Sequence, residues 1–352
     1  MNAPFPPVAA ARVRSADAGD DAAIAAWLAG RADATPFHLP GWSRAVEAGC
    51  GQAAHYLVAE RGGAIAGVLP LTAVRSRLFG AALVSAGFAV DGGILADDAA
   101  TADALAAAGW ALAGVIDCPS LELRGGWLPG DGWHVEGGRY ARFVRPLAAD
   151  AEAELKAIPR KQRAEVRKAL DMGFETRVGR GRRDLADHHR VYSESVRNLG
   201  TPVFPRALFA AALERLDADI LTILHRGRPV ASVLSLYFAG TVYPYWGGGT
   251  LEARSSRANE AMYYALMNHA RGRGCTRFDF GRSKLGTGAF AYKKNWGFVP
   301  EPLAYAVRTA DGAAPRAINP LDPKYRLKIA AWQKLPLWLA NRIGPAIARG
   351  LG

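Results

Sequence analysis

Apolar and polar positions follow the same pattern in two separate parts of the chain. Residues 55–71 read HYLVAERGGAIAGVLPL and residues 220–236 read ILTILHRGRPVASVLSL, an offset of 165 residues. Each block is an apolar run, a glycine turn and a second apolar run, which is typical of a β-hairpin. A second match follows at an offset of 157, where residues 118–125 align with residues 275–282. Two matches in the same order predict an internal duplication.

Between the two matches, each half carries a further apolar strand, a glycine cluster and a helical stretch. The helical stretches cover residues 97–114 and 256–272. Further helices are predicted over residues 152–172, 184–199 and 205–216. The order hairpin, strand, glycine break, helix and strand indicates an α/β fold with mixed sheets and flanking helices. The alternative that two unrelated α/β domains share this order by chance stays open.

The length and the charge of the chain divide it in the same way. With 352 residues, it exceeds a usual single domain, so we expect two domains of roughly 150 residues each. We divide the chain into domains 1–149 and 150–310 and a tail, 311–352. Residues 1–149 carry 11 Lys and Arg against 14 Asp and Glu, whereas the remainder carries 33 against 18. The basic second half suits an anionic substrate, a nucleic acid or a membrane surface.

The cysteines and the apolar runs exclude several classes of protein. Cys50, Cys118 and Cys275 stand far apart, so neither a disulfide framework nor a zinc site is indicated. The longest uncharged apolar run, residues 104–116, is much shorter than the ~20 residues of a membrane span. We expect a cytoplasmic protein that holds no metal and no tightly bound cofactor.

A glycine-rich strand end in the second half is the first candidate site. Residues 243–250 read YPYWGGGT and run into a helix. Bare backbone N–H groups at a helix N-terminus suit a phosphate or a developing oxyanion. The equivalent turn of the first half carries three aspartates, which would repel a pyrophosphate. The candidate anion-binding residues are therefore Gly247, Gly248, Gly249, Arg254 and Asn259. The alternative is that the glycines only permit a bulge in a twisted strand.

The second candidate site is the segment 278–298. Asp279 alternates with phenylalanines, as on a strand whose charged face opens to a cleft, and Arg282 and Lys284 follow in a glycine-rich loop. Direct attack by an amine on an ester or thioester needs a base and stabilisation of the oxyanion. Asp279 is the candidate base or amine-orienting group, and Tyr245 or Tyr292 is the candidate proton donor. In the alternative interpretation, Asp279 and Lys293 form an ordinary ion pair that closes the loop.

This segment carries a family resemblance. Asp279-Phe-Gly, followed by YKKNWGF at residues 292–298, resembles the pattern of FemA/FemB-like proteins. The basic stretch 158–169 resembles the helix that opens the second domain of those proteins. Together with GTPVFP at residues 200–205, the match is most similar to the FemAB-like protein associated with exosortase/PEP-CTERM gene systems.

The resemblance implies a tandem GNAT fold and an acyltransferase that acts on an amine. The implied acceptor is an anionic or lipid-linked precursor of the cell envelope or of an exopolysaccharide, and the donor is acyl-CoA or aminoacyl-tRNA. Lys293 would face the substrate or the reaction centre, with Arg163 and Arg167 adding positive charge near it. Residues 254–259 lack the glycines of the phosphate loop of acetyl-CoA users. The alternatives are a tRNA-dependent peptidyltransferase acting on a peptidoglycan precursor, and a non-catalytic assembly factor or nucleic-acid-binding module.

The tail has its own character. Residues 311–352 carry seven Lys and Arg against two Asp, with Trp332 and Trp338 among them. A basic, aromatic and amphipathic stretch is typical of a helix in a membrane interface, and it would hold the protein at the inner face of the membrane. The alternative, a helix packed back on the second domain, is equally open.

Overall fold

The computed structural model describes residues 10–311 and 323–352. Its strands are β1 (Arg12–Ser15), β2 (Ala53–Arg61), β3 (Ala64–Ser76), β4 (Gly80–Ser85), β5 (Leu95–Ala96), β6 (Ser120–Arg124), β7 (His134–Pro146), β8 (Glu175–Gly179), β9 (Ala218–His225), β10 (Arg228–Phe238), β11 (Thr241–Gly249), β12 (Arg277–Lys284) and β13 (Pro300–Thr309). Its helices are α1 (Asp21–Ala29), α2 (Pro40–Cys50), α3 (Ala99–Val115), α4 (Ala151–Ala157), α5 (Arg160–Leu170), α6 (Arg182–Asn198), α7 (Arg206–Arg215), α8 (Leu251–Ser256), α9 (Ala258–Gly272), α10 (Gly288–Asn295), α11 (Pro323–Gln333) and α12 (Leu337–Ala348). The predicted mixed α/β class is confirmed.

The strands form one mixed sheet in which the two halves mirror each other. The order is β1-β2-β3-β4-β6-β13-β7-β12-β11-β10-β9-β8, with β5 paired to β3. From either end inward, the order is an edge strand, a hairpin, a further strand and a parallel partner. The hairpins β2–β3 and β9–β10 therefore occupy equivalent positions, as the repeat predicts.

The halves exchange strands at the centre of the sheet. β13, the last strand of the second half, lies between β6 and β7 of the first half. β7 in turn pairs with β12. Because each half contributes a strand to the other, residues far apart in the sequence meet at this seam.

Two predicted helix boundaries are wrong for local reasons. The single helix expected over residues 152–172 is two helices, α4 and α5, because Pro159 lacks an N–H group and holds Ile158 in an extended conformation (ψ 132°). The helix expected from residue 256 begins at Ala258. Arg257, in the left-handed region at φ 63°, separates it from α8.

Apolar packing joins the two halves beside the exchanged strands. Trp42 and Phe37 of the first half belong to the same buried cluster as Phe209 and Trp246 of the second. The Trp42 and Trp246 rings are stacked, with centroids 5.8 Å apart. Burial of large aromatic side chains is a strong stabilising term, so the halves form a continuous core.

The tail packs on the protein through one face of α12, and its contact with a membrane remains a prediction. On α12, Ala340, Gly344 and Ala348 are buried, and the Arg124 guanidinium donates to the backbone carbonyl of Gly352 at 2.9 Å. The side chain of Trp338, in contrast, is 69% exposed. One face of the tail therefore packs on the protein while another stays in solvent. Within the described ranges, no helix is both long and apolar enough to span a membrane.

Candidate active site

The sheet of the second half opens between β11 and β12. These parallel strands pair only where Thr241 and Val242 meet Arg277 and Phe278, and they then diverge. Beyond that point β11 stays paired with β10 on its other edge, and β12 turns toward β7 at a bulge. Gly281 lies in the bulge at φ 70°, a conformation that favours glycine. The divergence leaves backbone groups of β11 facing the opening.

A cavity of about 20 Å³, room for about one water molecule, lies at this opening. Residues of both halves line this cavity. The polar side chains and rings that line it include Asp91, Arg142, Tyr243, Tyr245, Asp279 and Arg282. The candidate site therefore lies on the seam, and the first half supplies part of it.

Two carboxylates lie on either side of one arginine. The Arg142 guanidinium is 2.8 Å from an Asp279 oxygen and 3.9 Å from an Asp91 oxygen. Asp279 also accepts the N–H of Gly281 at 2.9 Å. Burial raises the pKa of both carboxyl groups, and the positive charge of Arg142 opposes that rise. Asp279 is thus firmly held, whereas Asp91 is held more loosely.

The sequence reasoning missed Asp91 and Arg142 as members of this site. Asp91 is one of the three aspartates interpreted as repelling phosphate, and Arg142 lies on a strand without a recognisable motif. Arg142 meets Asp279 because β7 pairs with β12, and Asp91, in the chain between β4 and β5, meets Arg142 there. No local pattern in the sequence predicts that the two halves exchange strands.

Lys293 lies behind the cavity wall on α10. Its Nζ donates to the backbone carbonyl of Arg282 at 2.9 Å and lies 5.5 Å from the ring centres of Phe143 and Phe280. Burial lowers the pKa of Lys293 to about 7, opposed by the Asp279 carboxylate and reinforced by Arg282. The partner in the ion pair of Asp279 is Arg142, so the proposed structural pair with Lys293 is wrong.

The two candidate tyrosines differ in their hydrogen bonding. The Tyr245 hydroxyl donates to the carbonyl of Phe88 across the seam, and burial raises the pKa of Tyr245. Tyr292 packs against the rings of Tyr263 and Trp296, and its buried hydroxyl has no hydrogen-bond partner among the described residues. The positions of Arg282 and Lys284 differ from the expected loop, because β12 continues to Lys284.

Arg282 helps to hold the two halves together at the seam. It donates to the Tyr305 hydroxyl at 2.6 Å, and that hydroxyl donates to the carbonyl of Val90 at 2.7 Å. Its guanidinium also stacks over the Tyr140 ring, with 4.3 Å to the ring centre. Val90 precedes Asp91 in the chain, so these two hydrogen bonds hold the loop that carries Asp91.

The glycine cluster is packed closely. A Cβ atom on Gly248 would lie 2.4 Å from Ser195 Oγ, and one on Gly249 would lie 2.6 Å from Asn259 Oδ1. Close approach of neighbouring elements therefore requires Gly248 and Gly249, and Gly247 is likewise in contact with Val233. An anion site at this turn remains a prediction.

The predicted basic contributors stand apart from the cavity wall. Arg254 is exposed on α8, Arg167 is exposed on α5, and Arg163 donates to the carbonyl of Lys156. An ion pair joins Glu165 of α5 to Arg257, the residue that precedes α9. A substrate would have to extend over the surface of the second half to meet them.

Comparisons with known proteins identify the fold. A family model described as an acetyltransferase (GNAT) domain matches residues 159–294, the segment that holds the opening. The structure of FemX is 14% identical, with 90% of this chain and 99% of that chain covered and a TM-score of 0.66. A tandem GNAT protein from the clavulanic acid biosynthesis pathway is 14% identical, with 86% and 100% covered and a TM-score of 0.55. The fold is a tandem GNAT fold.

A further solved structure similar to this chain is the C-terminal domain of a putative lysylphosphatidylglycerol synthetase from Agrobacterium fabrum. It is 12% identical, with 83% of this chain and 93% of that chain covered and a TM-score of 0.56. No curated protein sequence matches the chain. At such identities the structural likeness establishes the GNAT fold alone, while the family model assigns an acetyltransferase domain to the second half.

Proposed function

We propose that this protein is an acyltransferase that joins an acyl or aminoacyl group to an amine at the opening between β11 and β12. The supporting observation is the ion-paired group Asp91–Arg142–Asp279, in which Asp279 is buried and the other two are partly buried, at the strand opening of the matched GNAT domain. Proton transfer at a positioned carboxylate with a raised pKa suits attack by an amine, which must lose its proton.

Asp91 is the residue best suited to act as the base. Its Oδ2 lies 3.9 Å from Arg142, beyond hydrogen-bond distance, so this oxygen is available for a substrate proton. As the amine attacks, the new C–N bond forms, the bond from the acyl carbon to the donor oxygen or sulfur breaks, and the amine proton passes to Asp91. Asp279 keeps Arg142 in place. Lys293, with a pKa of about 7, is present in both protonation states near neutral pH and gives a proton to the leaving group. The proton that Asp91 has taken from the amine then replaces it, so that both residues return to their starting states.

Acyl-CoA is the first candidate donor, because the edge of β11 offers backbone groups to an extended amide-containing chain. Aminoacyl-tRNA is the second. Arg160, Lys161, Arg167 and Lys168 are exposed on α5, and a basic helix attracts a phosphate backbone. Glu260 in the first turn of α9 opposes the binding of a phosphate at that helix terminus. This local charge favours a donor whose phosphates are bound elsewhere, such as along α5.

For the acceptor, we propose an amine on an anionic or lipid-linked precursor of the cell envelope or of an exopolysaccharide, at the inner face of the membrane. The basic second half and the partly exposed tail support such a precursor. The likeness of the fold to a putative lysylphosphatidylglycerol synthetase domain is consistent with an acceptor at a lipid surface. The subgroup associated with exosortase gene systems remains a prediction from the sequence motif.

The test supplies both donors to the same preparation. The purified chain is incubated with a labelled acyl-CoA series or with labelled aminoacyl-tRNA, together with an extract of envelope precursors, and amide products are identified by mass spectrometry. Transfer from acyl-CoA with release of the free thiol supports the first donor. Transfer from aminoacyl-tRNA that is abolished by ribonuclease supports the second donor. Absence of any amide product with either donor would favour a non-catalytic role.

A further inference from the structure

An apolar groove lies where the tail meets both halves of the protein. Its volume is about 340 Å³, within the range of small-molecule sites. Leu78 and Phe79 from the β3–β4 turn line one side, Pro202 lines another, and the tail contributes Ile329 and Trp332. The groove thus exists only when the tail is packed in place.

Exposed apolar side chains surround this groove. Leu78, which lines the groove, is 69% exposed. Leu199 is 62% exposed and adjoins Gly200, which lies against Ile329. Exposed apolar side chains at a groove are unfavourable in water and mark interaction sites.

Two polar features indicate what kind of partner the groove suits. The indole N–H of Trp332 is buried and has no acceptor among the described residues, so an oxygen-bearing ligand would satisfy it. The described residues that line the groove include Lys328 and no carboxylate. Arg77, which precedes Leu78, and Arg326 of α11 are exposed, and residues 323–352 carry six Lys and Arg and no Asp or Glu.

We propose that this groove docks the protein on an anionic phospholipid bilayer. An acyl chain enters between Leu78, Ile329 and Trp332, an ester oxygen accepts the Trp332 N–H, and Arg77 and Arg326 face the anionic headgroups. A polar nucleic acid would leave the leucines unburied. The site is independent of the acyl-transfer chemistry, because it is formed by other residues on another part of the surface.

The test measures flotation of the full chain, freed of nucleic acid, with vesicles of phosphatidylcholine with or without phosphatidylglycerol. The wild type should float only with phosphatidylglycerol, and less at high salt. Leu78→Glu combined with Leu199→Glu should lower the apparent affinity at least tenfold. Arg326→Gln should lower it roughly fivefold, the equivalent of ~1 kcal/mol for one cation.

Two matched controls separate docking from general charge attraction. Val299→Glu changes a side chain that is 72% exposed at the start of β13 and should float like the wild type. Lys161→Glu removes an exposed cation of α5 and should have a smaller effect than the leucine pair. Unchanged melting temperatures, expected for exposed positions, show that the variants remain folded.

Three results would overturn the proposal. The first is a wild type that does not float with phosphatidylglycerol vesicles. The second is flotation that the leucine substitutions leave unchanged, or that depends on α5 instead. The third is a homodimer, seen by light scattering, that the leucine pair converts to monomers, because a second copy of the chain would then cover the groove.

Discussion

Replacing Lys293 with methionine should stabilise the folded protein at neutral pH while removing activity. The substitution keeps an unbranched apolar stem and removes an ammonium group that is held among Phe143, Phe280 and the Arg282 carbonyl. A cation in this position is costly because it has lost most of its water without gaining a carboxylate at ion-pair distance.

The magnitude follows from the pKa. Burial moves it from 10.5 to about 7, and a change of about 3.5 at ~1.4 kcal/mol for each pKa unit corresponds to about 5 kcal/mol. The hydrogen bond to Arg282 is worth ~1 kcal/mol, and partial exposure of the side chain reduces the cost further. We therefore expect Lys293→Met to raise the free energy of unfolding by about 2 kcal/mol at pH 7.

The lowered pKa of Lys293 also predicts how the stability difference between the two proteins changes with pH. Below about pH 7 the lysine is charged in both the folded and the unfolded protein, so the full cost applies. Between pH 7 and 10.5 the folded protein releases its proton while the unfolded chain retains it, and the wild type gains stability as the pH rises. The advantage of Lys293→Met should therefore shrink steadily over this interval.

Chemical denaturation of both proteins from pH 6 to pH 10 measures this difference, and Lys294→Met, on the exposed face of α10, is the matched control. A difference that does not change with pH, or a Lys293→Met variant that is less stable than the wild type at pH 7, would refute the reasoning. Either result would mean that the lysine is well solvated or paired, and its proposed role in proton transfer would lose its basis.

Three further predictions concern the seam and the tail. Arg142→Leu leaves two buried carboxylates without a counter-charge and should cost about 3–5 kcal/mol at pH 7; denaturation at decreasing pH should show the deficit shrinking as they protonate. Tyr245→Phe removes a hydrogen bond across the seam and should cost ~1 kcal/mol without changing turnover, whereas a large loss of turnover would support its role as a proton donor. Deleting residues 336–352 should lower the melting temperature by roughly 5 °C or more, because Arg124 loses an acceptor and the α12 face is uncovered; an unchanged melting temperature would contradict that packing.

The sequence predicted the elements whose cause is local. The hairpins at residues 55–71 and 220–236 follow from alternation of apolar residues around a glycine turn, and they recur as β2–β3 and β9–β10. Helix α6 was predicted within two residues of its observed bounds. The break between α4 and α5 could also have been predicted, because the structural effect of Pro159 on its neighbour is local.

The composition of the site could not be predicted in this way. Asp279 was identified from its motif, but Arg142 reaches it through the pairing of β7 with β12, which depends on the whole sheet, and Asp91 reaches Arg142 from the loop between β4 and β5. The hydroxyl of Tyr245 was assigned to chemistry, yet its acceptor lies more than a hundred residues away at Phe88. Long-range pairing, rather than residue type, decides which polar groups remain available to a substrate.

The rate of amide formation by Asp91→Asn tests the central claim most directly. The variant keeps the shape of the side chain and removes the proton acceptor, and Asp131→Asn, at an exposed loop position, is the matched control. With the same donor and acceptor, we expect Asp91→Asn to be slower by about 10²–10⁴-fold at an unchanged melting temperature, with Asp131→Asn equal to the wild type. Equal rates for all three proteins would contradict a catalytic site at the opening between β11 and β12.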